Sequence, residues 1–155
     1  MRQAAVDCLV DVRSVPRSRT NPQFNADGVA DPLASAGICY RHLKALGGLR
    51  HPPKGAPPSP NTLWRNPAFR NFADYAETPE FRAGLDELLA LAQNRRLAIM
   101  CAETLWWRCH RRIITDYLLA EGVPVVHIMG EGKLDRASLT PGAQILPGGR
   151  ILYPE

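Results

Sequence analysis

The sequence predicts a three-layer α/β domain, with a mainly parallel sheet covered by helices on both faces and a hairpin at the C-terminus. Strand-like and helix-like segments alternate along the 155 residues. The segments at 6–12 and 96–101 are almost continuously apolar, which is typical of parallel strands buried on both faces. The length suits one domain, and 45% of the residues are hydrophobic, so we expect a single domain over residues 1–155.

The region between these two strands begins with loops and a further strand. Asn25 or Asp31 is expected to cap a short helix, because both side chains accept hydrogen bonds from a first helical turn. A shorter strand is predicted at 38–42. Residues 47–60 are rich in Gly and Pro, which indicates a loop.

Helices are predicted on either side of the strand at 96–101. Asn66 and Thr78 each precede a Pro, and this pairing of a capping residue with Pro marks the start of a helix. Another helix is expected at 108–121, ending at Gly122.

The C-terminal part is expected to complete the sheet and then extend beyond it. Residues 124–129 are apolar and predict a fourth strand. Residues 131–155 form a predicted C-terminal extension, in which the segment 144–153 has the pattern of a hairpin.

Composition restricts the class of protein. The whole net charge of +4 lies in residues 1–60, where eight basic side chains stand against four acidic ones. This excess favours an anionic small molecule or a nucleic acid as partner. No apolar run of about 18 residues and no signal-peptide pattern is present, so we expect a cytoplasmic protein without a membrane span. In a reducing compartment its four cysteines are expected to be thiols.

The alternation of elements also predicts where a ligand binds. In open parallel sheets, ligands bind beyond the carboxyl ends of the strands. The stretches 13–19 and 101–112 leave two of these ends, and both are rich in cationic or reactive side chains. We therefore expect them to meet at one rim of the sheet and to form the functional site.

Cys101 is the predicted nucleophile. It ends a strand just before a helix, so the positive end of the helix dipole and the charges of Arg108 and Arg111 would favour its thiolate. Glu103 and His110 follow closely and are the predicted acid–base residues. Packing alone is the alternative interpretation of Cys101, because cysteine is among the most buried residue types.

Arginine forks and hydroxyl groups near the first strand predict an anion site. Arg side chains bind phosphate or carboxylate through paired hydrogen bonds. Asp11, at the end of the strand, is expected either to orient one Arg or to act as a base. The predicted anion-binding residues are Arg13, Ser14, Arg17, Arg19, His42, Arg108 and Arg111.

A metal site is a weaker alternative. Cys101, Cys109 and His110 offer three ligands, and His42 or His127 offers a fourth. Zinc sites usually contain cysteines separated by two residues, however, and this chain has no such pair. We therefore predict no metal, and the sequence identifies no cofactor. Cys109 shares a helical face with Ile113, so core packing explains it without a functional role.

An ordered set of motifs resembles the bacterial and archaeal family called domain of unknown function 488. The motifs are DVRSVPRSRTNPQFN, HLKALGG, FADYAETPEF, CAE, CHR and GVPVVHI, and they cover roughly residues 7–130. The resemblance implies an α/β domain with these motifs at its site, and it implies no established reaction. An N-terminal strand and helix with a Thr-Ile-Gly-His-Ser type motif, usual in that family, is not part of this chain.

The family's motif residues can be placed on this sequence by position. They correspond to Asp11, Arg13, Ser14, Pro16, Arg17, Asn21, Pro22, Phe24, His42, Leu46, Gly47, Gly48, Tyr75, Cys101, Glu103, Cys109, His110 and Arg111. A looser analogy connects the segment 9–13 and Cys101 with rhodanese-type domains.

Three functions follow as hypotheses. The first is an enzyme with a cysteine and histidine site and an arginine-lined pocket for a substrate containing phosphate or sulfur. The second is a nucleotide or nucleic-acid binding module, in which Trp106 or Trp107 stacks and the thiols are passive. The third is a partner-binding protein that uses the loop at 47–60.

Overall fold

A computed structural model of the chain describes residues 6–14, 35–101, 106–130 and 133–155. Predictions that fall on residues 15–34 and 102–105, including the short helix after Asn25 or Asp31, lie outside the described residues. The strands are β1 (Cys8–Asp11), β2 (Cys39–His42), β3 (Leu97–Met100), β4 (Val126–Gly130), β5 (Lys133–Arg136), β6 (Gln144–Ile145) and β7 (Ile151–Leu152). The α-helices are α1 (Pro67–Tyr75), α2 (Pro79–Ala92) and α3 (Arg111–Ala120).

The first three strands form a parallel sheet in the order β2-β1-β3. Asp11 pairs in register with His42 on one side and with Met100 on the other, so the three strands end at the same rim. All four residues of β1 are buried, as the continuous apolar run predicts for a central parallel strand. The prediction of a mixed α/β fold containing a parallel sheet is confirmed, whereas its arrangement in three layers stays a prediction.

The helix start signals are confirmed at both predicted positions. Asn66 Oδ1 accepts a hydrogen bond from Ala68 N at 2.8 Å, and Thr78 Oγ1 accepts one from Phe81 N at 3.3 Å. Helix α3 begins at Arg111 instead of 108, because Trp106–Arg108 forms a separate 3₁₀ turn. In the part of the chain that the structure describes, no helix is both long and apolar enough to cross a membrane.

Among the described strands, the fourth pairs with β5 and not with a strand of the parallel sheet, so that expectation is wrong. Strand β4 pairs with β5 in an antiparallel ribbon. Val126 and Ile128 are exposed and His127 is half-buried, so the segment alternates like a strand with one solvated face. The predicted C-terminal hairpin is confirmed as β6 and β7, which pair antiparallel through Gln144–Leu152 and Ile145–Ile151.

The chain divides into two compact units. One contains residues 1–47 and 82–102, and the other contains residues 48–81 and 103–155. In the first unit, Leu9 packs in a buried cluster on one face of the sheet. In the second, the Phe81 ring lies 5.8 Å from Phe72 and 5.0 Å from Tyr117, centroid to centroid, in edge-to-face arrangements. The prediction of one domain over 1–155 stays a prediction.

Two of the four cysteines form a disulfide, so the expectation that all four are thiols is wrong. Cys8 and Cys39 are register partners on β1 and β2, and their Cα atoms lie 4.4 Å apart. In-register parallel neighbours point to the same face of a sheet, which brings the two sulfur atoms together. Cys101 and Cys109 are not disulfide-bonded.

Reduction of this disulfide should lower the free energy of unfolding by about 3–4 kcal/mol, because the bond closes a long loop in the unfolded chain. Urea denaturation with and without dithiothreitol measures the change. A Cys8→Ala/Cys39→Ala double variant is the control, since dithiothreitol should have no effect on it. An unchanged unfolding midpoint in the fully reduced wild-type protein would contradict the prediction.

Candidate functional site

A buried ion pair stands at the rim where β1 ends. Arg13 Nε donates to Asp11 Oδ1 at 2.9 Å, Arg13 Nη2 donates to Oδ2 at 2.7 Å, and the Arg13 backbone N–H donates to Oδ1 at 3.1 Å. Residues two apart on an extended chain share one face, which places both side chains together. Asp11 is fully buried and Arg13 is 5% exposed. Asp11 therefore orients Arg13, which is one of the two roles expected for it.

Two residues of β2 complete this cluster. Tyr40 Oη donates to Asp11 Oδ2 at 2.5 Å. His42 Nε2 lies 2.6 Å from the carbonyl oxygen of Arg13, and since a carbonyl oxygen only accepts, Nε2 carries the proton. Sequence reasoning found His42 but missed Tyr40, although its position two residues before His42 places both on the same face of β2.

The charges in this cluster stabilise one another. Burial raises the pKa of the Asp11 carboxyl, but hydrogen bonds from Arg13 and Tyr40 outweigh burial, so the pKa lies below its usual value. The hydrogen bond to Asp11 raises the pKa of Arg13. Burial, together with the Asp11 carboxylate, raises the pKa of Tyr40 to about 12. Asp11 is thus an ionised acceptor near neutral pH, and a role for it as a base stays a prediction.

Ser14 and Cys101 lie at the same rim of the sheet. Val12 N donates to Met100 O at 2.9 Å, so Cys101 follows β3 directly beside the end of β1. Its side chain is half-buried. A Cβ atom at Gly47 would overlap Ser14 Oγ, so this close approach requires glycine. The first glycine of the HLKALGG motif thereby fixes the backbone after β1.

A second cluster surrounds the sulfur of Cys109, just before α3. The backbone N–H and the Nε–H of Arg111 both donate to Cys109 Sγ at 3.4 Å. His110 Nδ1 lies 3.4 Å from the same sulfur. The N-terminus of a helix carries a partial positive charge. The two Arg111 donors and the helix start favour the thiolate form of Cys109 over the thiol, and His110 adds to them in the state in which its Nδ1 carries a proton.

The imidazole of His110 is held in place by two neighbours. A Cβ atom at Gly48 would lie 2.6 Å from His110 Nδ1, so the ring packs directly on the Gly48 backbone. On another side, the Phe72 ring meets the imidazole edge-to-face, with centroids 4.9 Å apart. The HLKALGG and CHR motifs therefore meet at Gly48 and His110, and this contact fixes the imidazole beside the sulfur.

Core packing explains the burial of Cys109 but not its polar contacts. The residue is 4% exposed, as expected from the face it shares with Ile113. The CHR motif is the sequence signal for these polar contacts. A Cys two residues before an Arg at the start of a helix places the sulfur close to the N–H groups of that Arg. Cys109 and His110 also offer a sulfur and a nitrogen ligand, and the predicted absence of a metal stays a prediction.

The remaining predicted site residues are distributed as follows. Arg108 is exposed in the 3₁₀ turn that precedes Cys109. Arg17, Arg19 and Glu103 lie outside the described residues. The structure places Asp11, Arg13, Ser14, His42 and Cys101 at the rim of the parallel sheet, and His110 and Arg111 around Cys109. The catalytic and binding roles of all these residues stay predictions.

Comparison with known proteins identifies a family. The family described as domain of unknown function DUF488 matches residues 1–118. The chain belongs to this family. The expected resemblance is confirmed, and the matched part of this DUF488 protein contains both clusters. No curated protein and no solved structure matches the chain.

The Asp11→Asn substitution should lower the free energy of unfolding at neutral pH by about 3–5 kcal/mol, because Arg13 loses its buried partner. Since the pKa of Asp11 lies below its unfolded value of 3.8, its contribution is present above that value. The contribution is lost as the pH falls through the lower folded pKa. The difference between wild type and variant should therefore shrink in acid, as urea denaturation at several pH values would show.

Asp86→Asn is the matched control for this prediction. Asp86 also pairs with an arginine, Arg82, but both side chains are exposed, so its loss should cost at most about 0.5 kcal/mol. An Asp11→Asn cost that stays constant down to strongly acidic pH would show that the carboxylate charge is not what stabilises Arg13.

Proposed function

We propose that this DUF488 protein is a cysteine-dependent enzyme that acts on an anionic substrate containing phosphate or sulfur. The observation that supports this most directly is the set of polar contacts on Cys109 Sγ, two from Arg111 and one from His110. A buried thiol that only fills space needs no such donors, whereas a thiolate nucleophile does.

The cluster contains the groups that one round of group transfer requires. The Cys109 thiolate attacks the electrophilic sulfur or phosphorus atom and forms a bond to it. The bonding electrons leave with the displaced group, which is sulfite if the substrate is thiosulfate and an alkoxide if it is a phosphate ester. His110 lies beside the sulfur and supplies the proton that an alkoxide needs.

Positive charge around the thiol supports an anionic substrate. Arg108 precedes Cys109 and is exposed, and Arg111 follows it in the first turn of α3. The positive end of the helix adds to both. Arg13 is buried against Asp11, so its proposed role in anion binding would require that pair to open.

Cys101 is the alternative nucleophile within this proposal. It is half-buried at the rim that also carries Ser14 and His42, whose proposed role is to bind the substrate. The contacts on the Cys109 sulfur favour Cys109, and the experiment below distinguishes the two thiols.

Nucleic-acid binding is the second candidate function. Trp107 is 39% exposed and stands next to the exposed Arg108. An exposed indole beside a cation is suited to stacking on a base while the cation binds phosphate. In this alternative the thiols are passive.

Alkylation of the folded protein by iodoacetamide, followed by peptide mass spectrometry, tests the proposal. This small neutral reagent is chosen because only 4% of Cys109 is exposed. Cys109 should react with a pH midpoint about one unit or more below the 8.5 of an ordinary thiol. Inorganic phosphate or thiosulfate should slow the reaction by occupying the cationic site.

Variants test whether the described contacts cause the low pH midpoint of Cys109 alkylation. Arg111→Gln and His110→Asn should each raise the Cys109 midpoint by about one pH unit, because each removes a group that favours the thiolate. Arg82→Gln, which removes an exposed charge elsewhere, should leave it unchanged. A Cys109 midpoint at 8.5 or above would overturn the assignment, and a low midpoint at Cys101 instead would transfer the role to that thiol.

Oligonucleotide binding distinguishes the nucleic-acid binding module from the enzyme. If a single-stranded oligonucleotide binds in a salt-sensitive manner, and binding is lost in Trp107→Ala but kept in Cys109→Ser, the binding module is favoured over the enzyme.

A further inference from the structure

Helix α3 carries a buried carboxylate that is held by the C-terminal part of the chain. Asp116 is 1% exposed, and it accepts hydrogen bonds from Tyr153 Oη at 2.7 Å and from the backbone N–H of Thr140 at 3.0 Å. Burial raises the pKa of the Asp116 carboxyl, and these two hydrogen bonds offset the effect only in part. The contacts therefore compensate a costly burial, and they attach two distant residues to the same helix.

The same threonine reaches the first turn of α3. Arg112 Nε donates to Thr140 Oγ1 at 3.2 Å. The backbone N–H of Arg112 in turn donates to the carbonyl oxygen of Cys109 at 3.0 Å. A continuous series of hydrogen bonds thus runs from Tyr153 through Asp116, Thr140 and Arg112 to the backbone of Cys109.

Tyr153 itself is fixed by several neighbours. Its backbone N–H donates to Asn61 Oδ1 at 2.9 Å, and its ring lies 5.2 Å from the Trp64 ring, centroid to centroid. Two residues earlier, the backbone N–H of Ile151 donates to Tyr117 Oη on α3 at 3.3 Å. The hydroxyl of Tyr153 is therefore held at a defined place beside Asp116.

We propose that Tyr153 and Thr140 are positioning residues for the Cys109 thiolate, an inference that rests on the proposed function of Cys109. The DUF488 match ends at residue 118, so both residues lie beyond the part of the chain that defines the family. Asp116 and Arg112 lie within it, and the segment 137–155 completes the site from outside.

Tyr153 and Thr140 act on the thiolate through the direction of the hydrogen-bond donors that face the sulfur. One of these donors is the backbone N–H of Arg111, and a hydrogen bond weakens steeply as its angle departs from linearity. The contacts of Thr140 with Arg112 and Asp116 hold the first two turns of α3 at two points. Loss of either contact lets the first turn move, which weakens the donors that favour the thiolate.

The test compares single variants in the full chain. Tyr153→Phe removes only the hydroxyl and keeps the ring against Trp64. Thr140→Val removes the hydroxyl that accepts from Arg112 and also bonds to Asp116, but keeps the backbone N–H that binds Asp116. Arg150→Gln is the matched control, because it breaks an exposed contact of the same hairpin with Glu77.

Two readouts are needed, the melting temperature and the pH midpoint of Cys109 alkylation by iodoacetamide in the folded state. Tyr153→Phe and Thr140→Val should each raise the midpoint by about half a pH unit or more, equivalent to a few-fold loss of thiolate at neutral pH. Arg150→Gln should leave it at the wild-type value. If Tyr153→Phe does not fold, Thr140→Val alone decides the question.

Lower melting temperatures with an unchanged midpoint in both variants would overturn the proposal. The C-terminal segment would then stabilise the fold without affecting the Cys109 thiolate. That result leaves the proposed function intact if the wild-type midpoint is low. A wild-type midpoint equal to that of an ordinary thiol would instead remove the proposed function, and this inference with it.

Discussion

The sulfur of Cys109 accepts hydrogen bonds at the start of helix α3, and the proposed function depends on this contact. Arg111 supplies two N–H donors, and the imidazole of His110 lies at the same distance from the sulfur. Sulfur accepts hydrogen bonds weakly as a thiol and strongly as a thiolate, so such donors are most effective when the group is charged. The proposed reactivity of Cys109 therefore depends on the local backbone at the start of this helix.

Glycine and aromatic residues of the same unit hold this arrangement. Gly48 lets the backbone approach His110 more closely than any side chain would allow, and the Phe72 ring meets the imidazole edge-to-face. At the rim of the parallel sheet, Asp11 similarly holds Arg13 while Tyr40 completes the carboxylate's contacts. In both places a buried charged or polar group is matched by donors, because an unmatched one would cost several kcal/mol.

Most helices and strands with a local signal, such as a capping residue or an apolar run, could be predicted from the sequence. Asn66 and Thr78 cap helices as their types suggest, and the apolar run at 6–12 becomes the central strand. The partner of β4 was predicted wrongly, because a short apolar segment does not reveal which strand it joins. The Cys8–Cys39 disulfide depends on the register of two strands, which only the tertiary structure fixes.

The candidate site was predicted less completely than the fold. The motif residues Asp11, Arg13 and His42 do lie together. Tyr40 was missed although the alternation of β2 places it on the face of His42, whereas the contacts of Cys109 depend on side-chain directions at the turn before α3. The role proposed for Tyr153 depends on a contact between residues far apart in the chain, which no local pattern indicates.

The ionisation state of Cys109 is the most direct test of this account. Carbon-13 NMR of protein labelled at the cysteine Cβ atoms, titrated with pH and assigned with a Cys109→Ser variant, reports that state without any reagent. The account predicts that the Cys109 signal changes from the thiol to the thiolate shift with a midpoint about one pH unit or more below that of an ordinary thiol. A signal that changes near the pH of about 8.5 expected for an ordinary thiol would contradict it.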